Sequence, residues 1–306
     1  MGEPARILCP SLDAALSAYR PPAVVADIAL DIEGRGRYEV RQRPLGLATA
    51  SGMHPYKMRT DEGGILRYSF CDPAFIMGTP MTAARPLADW AAISAQNRWQ
   101  GVIFAGEEQA RIVPIVRPKD DRVAMNAQWS VQSKGCLITQ KLKTKKGGAD
   151  MIVWISQQGL GEPVEADGLV FVEAEAAYAA IRVVEGGYSL AQEKAVIVVL
   201  KQEFSPLILE VMAKIDVQSF EGFKAKVKAC DLRVDGPVLR YTSIYGDQLS
   251  FHSDYSRVPT INGQLVDYSP VKAFESPFLN SEWDSGIVTI RKGKRQITLD
   301  FNAPPE

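Results

Sequence analysis

The sequence has almost no net charge and no long apolar run. Its 35 Lys and Arg residues balance 36 Asp and Glu residues, for a net charge of −1. The chain as a whole therefore has no positive electrostatic field that would attract nucleic acid or an anionic membrane. The longest apolar runs, such as AVIVVL at 195–200, are far too short to span a bilayer. The first residues include Glu3 and lack a continuous apolar core, unlike a signal peptide. We therefore expect a cytoplasmic chain with no nucleic-acid or membrane partner.

Cysteine and histidine are scarce. The closest two of the four cysteines, Cys9 and Cys71, are 62 positions apart, and there is no C-x-x-C pair. A zinc site built on cysteine pairs is therefore not expected. We expect the cysteines to be buried, reduced thiols. The chain also lacks the G-x-G-x-x-G, P-loop, H-E-x-x-H and G-x-S-x-G motifs. The sequence predicts no cofactor and no metal.

From about Gly36 onward the sequence has a β pattern. Short runs rich in Val, Ile and aromatic residues follow one another, and in IVTIR and RQITLDF every second residue is apolar. Glycine-containing pairs separate the runs, and Asn262-Gly263 is the strongest hairpin signal. Roughly fifteen strands at this spacing indicate a mainly β fold, a large antiparallel β-sandwich or supersandwich.

A helical pattern is confined to the start of the chain. Ser11 is suited to cap a helix over LDAALSAYR that ends at Pro21-Pro22, and AVVADIAL follows as a second helical piece. We therefore predict a helical segment over residues 1–30 and one antiparallel β-sandwich domain over 31–306. The segment FKAKVKACDLRV is interpreted as a strand, EAEAAYAAI favours a strand, and ADWAAISAQNRW fits a helix or an irregular connection.

The first candidate site surrounds the turn TDEGG. His54 and Tyr56 or Tyr68 are residue types that act as base and acid when a proton is removed next to a carboxylate. Arg59 would neutralise that carboxylate. Polysaccharide lyases need these roles. The alternative is structural: Tyr68 packs in a strand, Arg59 is solvated and His54 lies in a turn.

The second candidate site is the sequence Gln96-Asn97-Arg98-Trp99. Amides and a guanidinium bind sugar hydroxyls, and an indole accepts the apolar face of a sugar ring. The alternative is that Trp99 lies in the core and the polar residues bond loop backbone. A third group, His252 and Asp254, would share one face of a strand, with a surface histidine as the alternative to a metal ligand.

The order of several segments resembles a known family. AYRPPAVVADIAL is followed by RYSFCDPAFIMGT, NRWQGVIFAG, AAYAAIRVVEGGYSL and SPLILEVMAKIDVQSFEGFKAKV. From about residue 12 onward, the chain resembles the C-terminal β-sandwich region of polysaccharide-degrading proteins with an α/α toroid, the heparinase II/III-like and related group. The resemblance implies a supersandwich fold, with the opening helix as the last helix of a toroid.

In that family the catalytic cleft lies mainly on the toroid, and the β region adds a few side chains. The chain has no room for a toroid, so the resemblance implies a missing domain or a partner chain. Our functional prediction is a carbohydrate-active β-sandwich domain, like a lyase or a glycoside hydrolase, that binds or helps to process a polysaccharide or oligosaccharide. The alternative is a non-catalytic lectin-like or structural module.

Overall fold

The computed structural model shows an antiparallel β protein. It describes residues 23–30, 34–43, 64–82, 100–118, 128–143 and 149–302. Regular structure in these ranges is almost entirely strand and forms three sheets, together with two α-helices and a short 3-10 turn. The predicted fold class, a mainly β protein with large antiparallel sheets, is confirmed.

The elements are numbered in chain order. The helices are α1 (Ala23–Leu30) and α2 (Phe220–Ala229), and a 3-10 turn covers Lys214–Asp216. The strands are β1 (Tyr38–Gln42), β2 (Ile65–Asp72), β3 (Phe75–Thr82), β4 (Gly101–Phe104), β5 (Arg111–Pro118), β6 (Gln128–Ser133), β7 (Cys136–Lys141), β8 (Ala149–Ile155), β9 (Val164–Ala166), β10 (Leu169–Glu173), β11 (Ala177–Val183), β12 (Tyr188–Gln192), β13 (Val196–Leu200), β14 (Leu207–Ala213), β15 (Leu232–Asp235), β16 (Val238–Thr242), β17 (Gln248–His252), β18 (Thr260–Ile261), β19 (Gln264–Leu265), β20 (Lys272–Glu275), β21 (Leu279–Glu282), β22 (Ile287–Lys292) and β23 (Arg295–Asp300).

The three sheets differ in size. Sheet I has 12 strands in the order β12-β13-β8-β5-β4-β3-β2-β1-β20-β21-β22-β23. Sheet II has six strands in the order β6-β7-β14-β11-β10-β9, and sheet III has five in the order β15-β16-β17-β18-β19. Because consecutive strands are mostly neighbours, short hairpins build most of the architecture.

All three sheets contribute to one hydrophobic core. On β2, the alternate residues Leu66, Tyr68 and Phe70 are buried, as expected for a strand with one face on the core. The central strand β14 is buried along both faces. Its Val211 joins the shared core, whereas its Met212 packs with Phe223 of α2. Sheet II is therefore covered on both sides.

A polar seam joins β3 of sheet I to β6 of sheet II. The Thr79 hydroxyl lies 2.8 Å from the Ser130 hydroxyl and donates to Oε1 of Gln100 at 3.1 Å. Nε2 of Gln132 donates to the Met77 carbonyl at 3.1 Å. These polar side chains are buried. Because each buried polar group needs its particular partner, the seam holds the two sheets in one relative position.

Two predicted hairpins are confirmed. Asn262 and Gly263 join β18 to β19 with φ values of 51° and 79°. Positive φ at both central residues is the type I′ geometry that fits the twist of the strands, and it explains why Asn-Gly occupies this turn. The alternating segments IVTIR and RQITLDF form β22 and β23, which pair along their length.

One strand prediction is wrong. The segment Phe220–Ala229 forms α2, and strand structure resumes only at β15. The Ser219 hydroxyl caps the helix by accepting a hydrogen bond at 3.0 Å from the backbone N–H three residues on. Phe223 and Val227, one helical turn apart, are both buried. In this segment lysines alternate with small apolar residues, a pattern that is compatible with a strand and with a helix. The Ser219 cap and the burial of Phe223 and Val227 favour the helix.

Other expectations have mixed outcomes. AVVADIAL forms α1, which lies against β22, and the AYAAI part of EAEAAYAAI lies within strand β11 as favoured. The predicted helix that begins at Ser11 lies outside the described residues, and so does the whole of ADWAAISAQNRW (88–99). The division between 1–30 and 31–306 stays a prediction. No helix in the described ranges is both long enough and apolar enough to cross a membrane.

Gly64, just before β2, allows a close backbone approach. Its φ is +87°, and a Cβ atom there would lie 2.5 Å from the Tyr268 carbonyl oxygen. We expect Gly64→Ala to lower the free energy of unfolding by about 2–3 kcal/mol, since it adds a steric clash to the cost of positive φ. Gly168→Ala is the matched control, with φ +75° and open space around the new methyl group, and should cost about 1 kcal/mol. Urea denaturation of both variants measures the difference. Equal losses would contradict the close approach.

Candidate functional site

A cleft of about 540 Å³ lies where the three sheets meet. Sheet I supplies side chains of β1 and β2, and sheet II supplies the turn between β6 and β7. Sheet III supplies the β18–β19 hairpin, whose residues Ile261, Asn262, Gln264 and Leu265 line the cleft. Small-molecule sites commonly measure about 300–1,000 Å³, so the cleft has room for a ligand of that class.

Tyr68 forms part of the cleft floor. Only 4% of the residue is exposed, because it lies on the core-facing side of β2. Its hydroxyl oxygen accepts a hydrogen bond from the backbone N–H of Lys134 at 3.0 Å. Burial raises the pKa of Tyr68, and the nearby Glu39 carboxylate raises it further. The phenol is therefore protonated at neutral pH and is held against the backbone of the β6–β7 turn.

Arg41 lies on the β1 side of the cleft between two carboxylates. Its guanidinium is 2.9 Å from Glu39 and 3.7 Å from Glu275, and it sits 5.9 Å from the Tyr68 ring centre. A hydrogen bond from Lys272 lowers the pKa of Glu275, and the charge of Arg41 acts in the same direction. Both neighbouring carboxylates help to hold the planar guanidinium in place. Arg41 can present its remaining N–H donors to a ligand in the cleft.

Asp247 organises the opposite side. Its carboxylate lies 3.0 Å from the ammonium group of Lys134 and accepts hydrogen bonds of 3.0 Å from the Ser133 hydroxyl and the Asn262 side-chain amide. Burial raises the pKa of Asp247, but these three hydrogen bonds outweigh it and bring the pKa below its ordinary value. The ionised carboxylate ties the β6–β7 turn to the β18–β19 hairpin.

The cleft has more negative than positive side chains. Its lining carries two cations, Arg41 and Lys134, and four carboxylates, Glu39, Asp247, Asp267 and Glu275. The remaining wall is partly apolar, and Leu265 of the hairpin is 68% exposed. Such a surface can form many hydrogen bonds and also accept an apolar ligand face. It does not attract an anionic ligand.

The structure places one predicted site residue in this cleft, namely Tyr68. The other predicted residues lie outside the described ranges: His54, Tyr56, Arg59, Gln96, Asn97, Arg98 and Trp99. Their proposed roles stay predictions. His252 ends β17, and Asp254 follows in a turn, where its carboxylate accepts hydrogen bonds from Ser256. Within the described ranges, no three His, Cys, Asp or Glu side chains are grouped so that they could hold a metal ion.

Sequence reasoning missed most residues of the cleft. Arg41 lies in YEVRQRPL, part of the sequence with a β pattern from about Gly36 onward, and Asn262 was singled out only for its turn. Lys134 and Asp247 lie 113 positions apart in sequence and meet only because sheets II and III adjoin. The one local signal for a cleft residue was the Asn262-Gly263 pair. This pair favours positive φ in the turn, and that backbone conformation determines where the Asn262 side chain projects.

Comparison with known proteins identifies no relative of the chain. No protein-family model, no curated protein and no solved structure matches the chain.

Proposed function

We propose that the cleft binds a neutral segment of an oligosaccharide or polysaccharide, and that the chain is the β-sandwich domain of a carbohydrate-active protein. The observation that carries this proposal is the set of planar hydrogen-bonding groups held in fixed positions around the cleft. The Asn262 amide donates to Asp247 at 3.0 Å, and the Arg41 guanidinium lies 2.9 Å from Glu39 and 3.7 Å from Glu275 before any ligand arrives. Preorganised groups lose little conformational entropy on binding, so their hydrogen bonds contribute more to affinity.

The balance of charge favours a neutral sugar over a uronic acid. Hydroxyl groups both donate and accept hydrogen bonds, so carboxylates, amides and a guanidinium are all suitable partners. An added carboxylate on the ligand would face the excess of negative charge in the cleft. The exposed Leu265 side chain supports the same proposal, since one face of a sugar ring is largely C–H.

A binding role is better supported than proton transfer by Tyr68. Its hydroxyl is engaged with the Lys134 backbone, and burial disfavours the ionised form. Catalysis by His54, Tyr56 and Tyr68 stays a prediction, as does the participation of a toroid domain or a partner chain.

Binding of neutral oligosaccharides should depend on Arg41. We expect Arg41→Gln to raise the Kd at least tenfold, because a hydrogen bond to a charged group contributes about 1.5–3 kcal/mol. Isothermal titration calorimetry against gluco-, manno- and galacto-oligosaccharides measures the effect. The control is Arg295→Gln, which changes an exposed arginine of β23 that does not line the cleft.

Two results would contradict the proposal. One is the absence of binding to every neutral oligosaccharide in the panel. The other is an equal loss of affinity in Arg41→Gln and Arg295→Gln. Release of an unsaturated, ultraviolet-absorbing product from a uronic-acid polymer would instead favour the lyase activity suggested by the sequence.

A further inference from the structure

Strand β23 forms one edge of sheet I. It pairs with β22 along its whole length, and no strand in the described ranges pairs with its other side. Edge strands are commonly protected from other chains by proline, by lysine or by a β-bulge. The sequence RQITLD of β23 contains neither proline nor lysine, and its register with β22 is unbroken. The edge is therefore able to accept a further strand.

The backbone of β23 directs alternate residues toward this edge. The Phe301 N–H donates to the Gly286 carbonyl at 2.8 Å, which shows that the odd-numbered residues bond toward β22. Gln296, Thr298 and Asp300 therefore direct their N–H and C=O groups outward. An added antiparallel strand would form hydrogen bonds with all three of these residues.

We propose that β23 pairs with β23 of a second copy of this chain, antiparallel and around a two-fold axis at Thr298. In this register Thr298 lies opposite Thr298 of the second copy, and Gln296 lies opposite Asp300. Every outward-directed backbone group of the two strands then has a partner. The interface is isologous, because the same surface is used on both subunits. It is distant in sequence from the cleft residues of sheets II and III and does not depend on ligand binding there.

The apolar side chains of the β22–β23 hairpin support this register. Ile290 is paired with Ile297, and Val288 with Leu299, and all four side chains are partly buried on one face of the hairpin. In the dimer, Ile297 lies opposite Leu299 of the second copy. The apolar row of one hairpin therefore continues into that of the other, and cross-strand apolar pairs of this kind stabilise a sheet.

The polar face is self-complementary as well. Thr289 is paired with Thr298, so the two copies together form a line of four threonines across the axis. Oε1 of Gln296 accepts a hydrogen bond of 2.8 Å from Arg291, and its amide N–H groups can donate to the opposing Asp300 carboxylate. Cross-strand threonine pairs and donor–acceptor pairs are both favourable.

The two ends of β23 carry opposite charges. Antiparallel pairing brings the Arg295 end of one strand to the Asp300 end of the other, so charges of opposite sign meet at both ends of the interface. The same register places Arg295 opposite Phe301 of the second copy. Phe301 is 70% exposed in the single chain, and a guanidinium over its ring would give it a partner.

The test replaces the residue on the two-fold axis. Thr298 is exposed and its N–H is directed away from β22, so a substitution there leaves the fold of the single chain intact. Thr298→Lys and Thr298→Glu each place two like charges directly opposite each other in the dimer. We expect each variant to raise the dimer Kd at least about tenfold, and an equimolar mixture of the two to form a heterodimer, since the charges then attract.

The full chain, the two variants and their mixture are compared by sedimentation equilibrium, with circular dichroism as the check on folding. Thr298→Val is the matched control and should dimerise at least as tightly as the parent chain, because it keeps the shape and the backbone donor. The proposal is overturned if the parent chain stays monomeric up to about 1 mM. It is also overturned if either charged variant dimerises like the parent, or if the mixture remains monomeric.

Discussion

Replacing Trp129 with alanine is expected to lower the free energy of unfolding by about 3–5 kcal/mol, the range for deleting a large buried aromatic side chain. Trp129 is 1% exposed and lies on β6, where sheets II and III meet. Its ring centre is 4.4 Å from that of Phe251 on β17 and 5.4 Å from that of Tyr255. The substitution therefore removes contacts that join two sheets and leaves a cavity between them.

Trp283→Ala is the matched control for this prediction. Trp283 is 38% exposed, and the Arg43 guanidinium lies 4.6 Å from its ring centre. An exposed cation–π contact contributes only about 0.5–1 kcal/mol, so this variant should lose less than half as much stability. Chemical denaturation followed by circular dichroism compares the two variants. Equal losses would mean that Trp129 does not join sheets II and III as described.

The second large effect concerns Glu210, a carboxyl group buried in the middle of sheet II. Only 1% of the residue is exposed, and it faces Cys136 across the β7–β14 pair. One carboxyl oxygen accepts a hydrogen bond of 3.1 Å from the Ile244 backbone N–H. Burial raises the pKa of Glu210 from 4.5 to about 8, although this hydrogen bond and the charge of Arg182 act in the opposite direction. At neutral pH the carboxyl group is therefore protonated in the folded chain.

This raised pKa makes stability fall with increasing pH. Between about pH 4.5 and 8 the folded state keeps a proton that the unfolded state has lost. Each increase in pH within this range therefore lowers the free energy of unfolding. The expected slope is about 1.4 kcal/mol per pH unit, and it flattens above the folded pKa. Glu210→Gln keeps the shape of the protonated acid without titrating, so the slope should disappear.

The measurement is urea denaturation of both proteins at pH 5, 6, 7 and 8. Other groups also titrate over this range, so the informative quantity is the difference between the parent chain and Glu210→Gln. Glu221→Gln is the control, because the Glu221 side chain on α2 is 81% exposed and should not alter the slope. Parallel stability curves for the parent chain and Glu210→Gln would show that burial does not shift this carboxyl group.

The sequence predicts the hairpins of this protein better than its sheets. Local patterns were enough for Asn262-Gly263 and for the alternation in β22 and β23, because both depend on neighbouring residues. Strand β6, with the sequence QWSVQS, was missed since it is polar by composition. Its glutamines are nevertheless buried, with Gln132 bonded to the Met77 carbonyl of β3. A strand of this kind is recognisable only once the facing sheet is known.

The candidate site was still harder to predict. Tyr68 was identified because tyrosine near histidine and arginine suggested chemistry, yet its actual partner is the backbone of Lys134, 66 positions away. Asp247 gave no local signal, although its hydrogen bonds join two sheets. The order in which the strands associate, which sequence periodicity does not encode, brings these residues together.

The central claim is that the cleft between the three sheets binds neutral sugars. The most direct measurement is a titration with the best neutral oligosaccharide, followed through the side-chain amide signals of Asn262 and Gln264 in ¹⁵N–¹H NMR spectra and assigned with the variants Asn262→Gly and Gln264→Ala. Both residues line the cleft, whereas Asn302 lies beyond β23 and serves as an internal reference. The account predicts that the two cleft amides shift in a saturable manner while Asn302 stays constant. Saturable binding that leaves both cleft amides unshifted would contradict it.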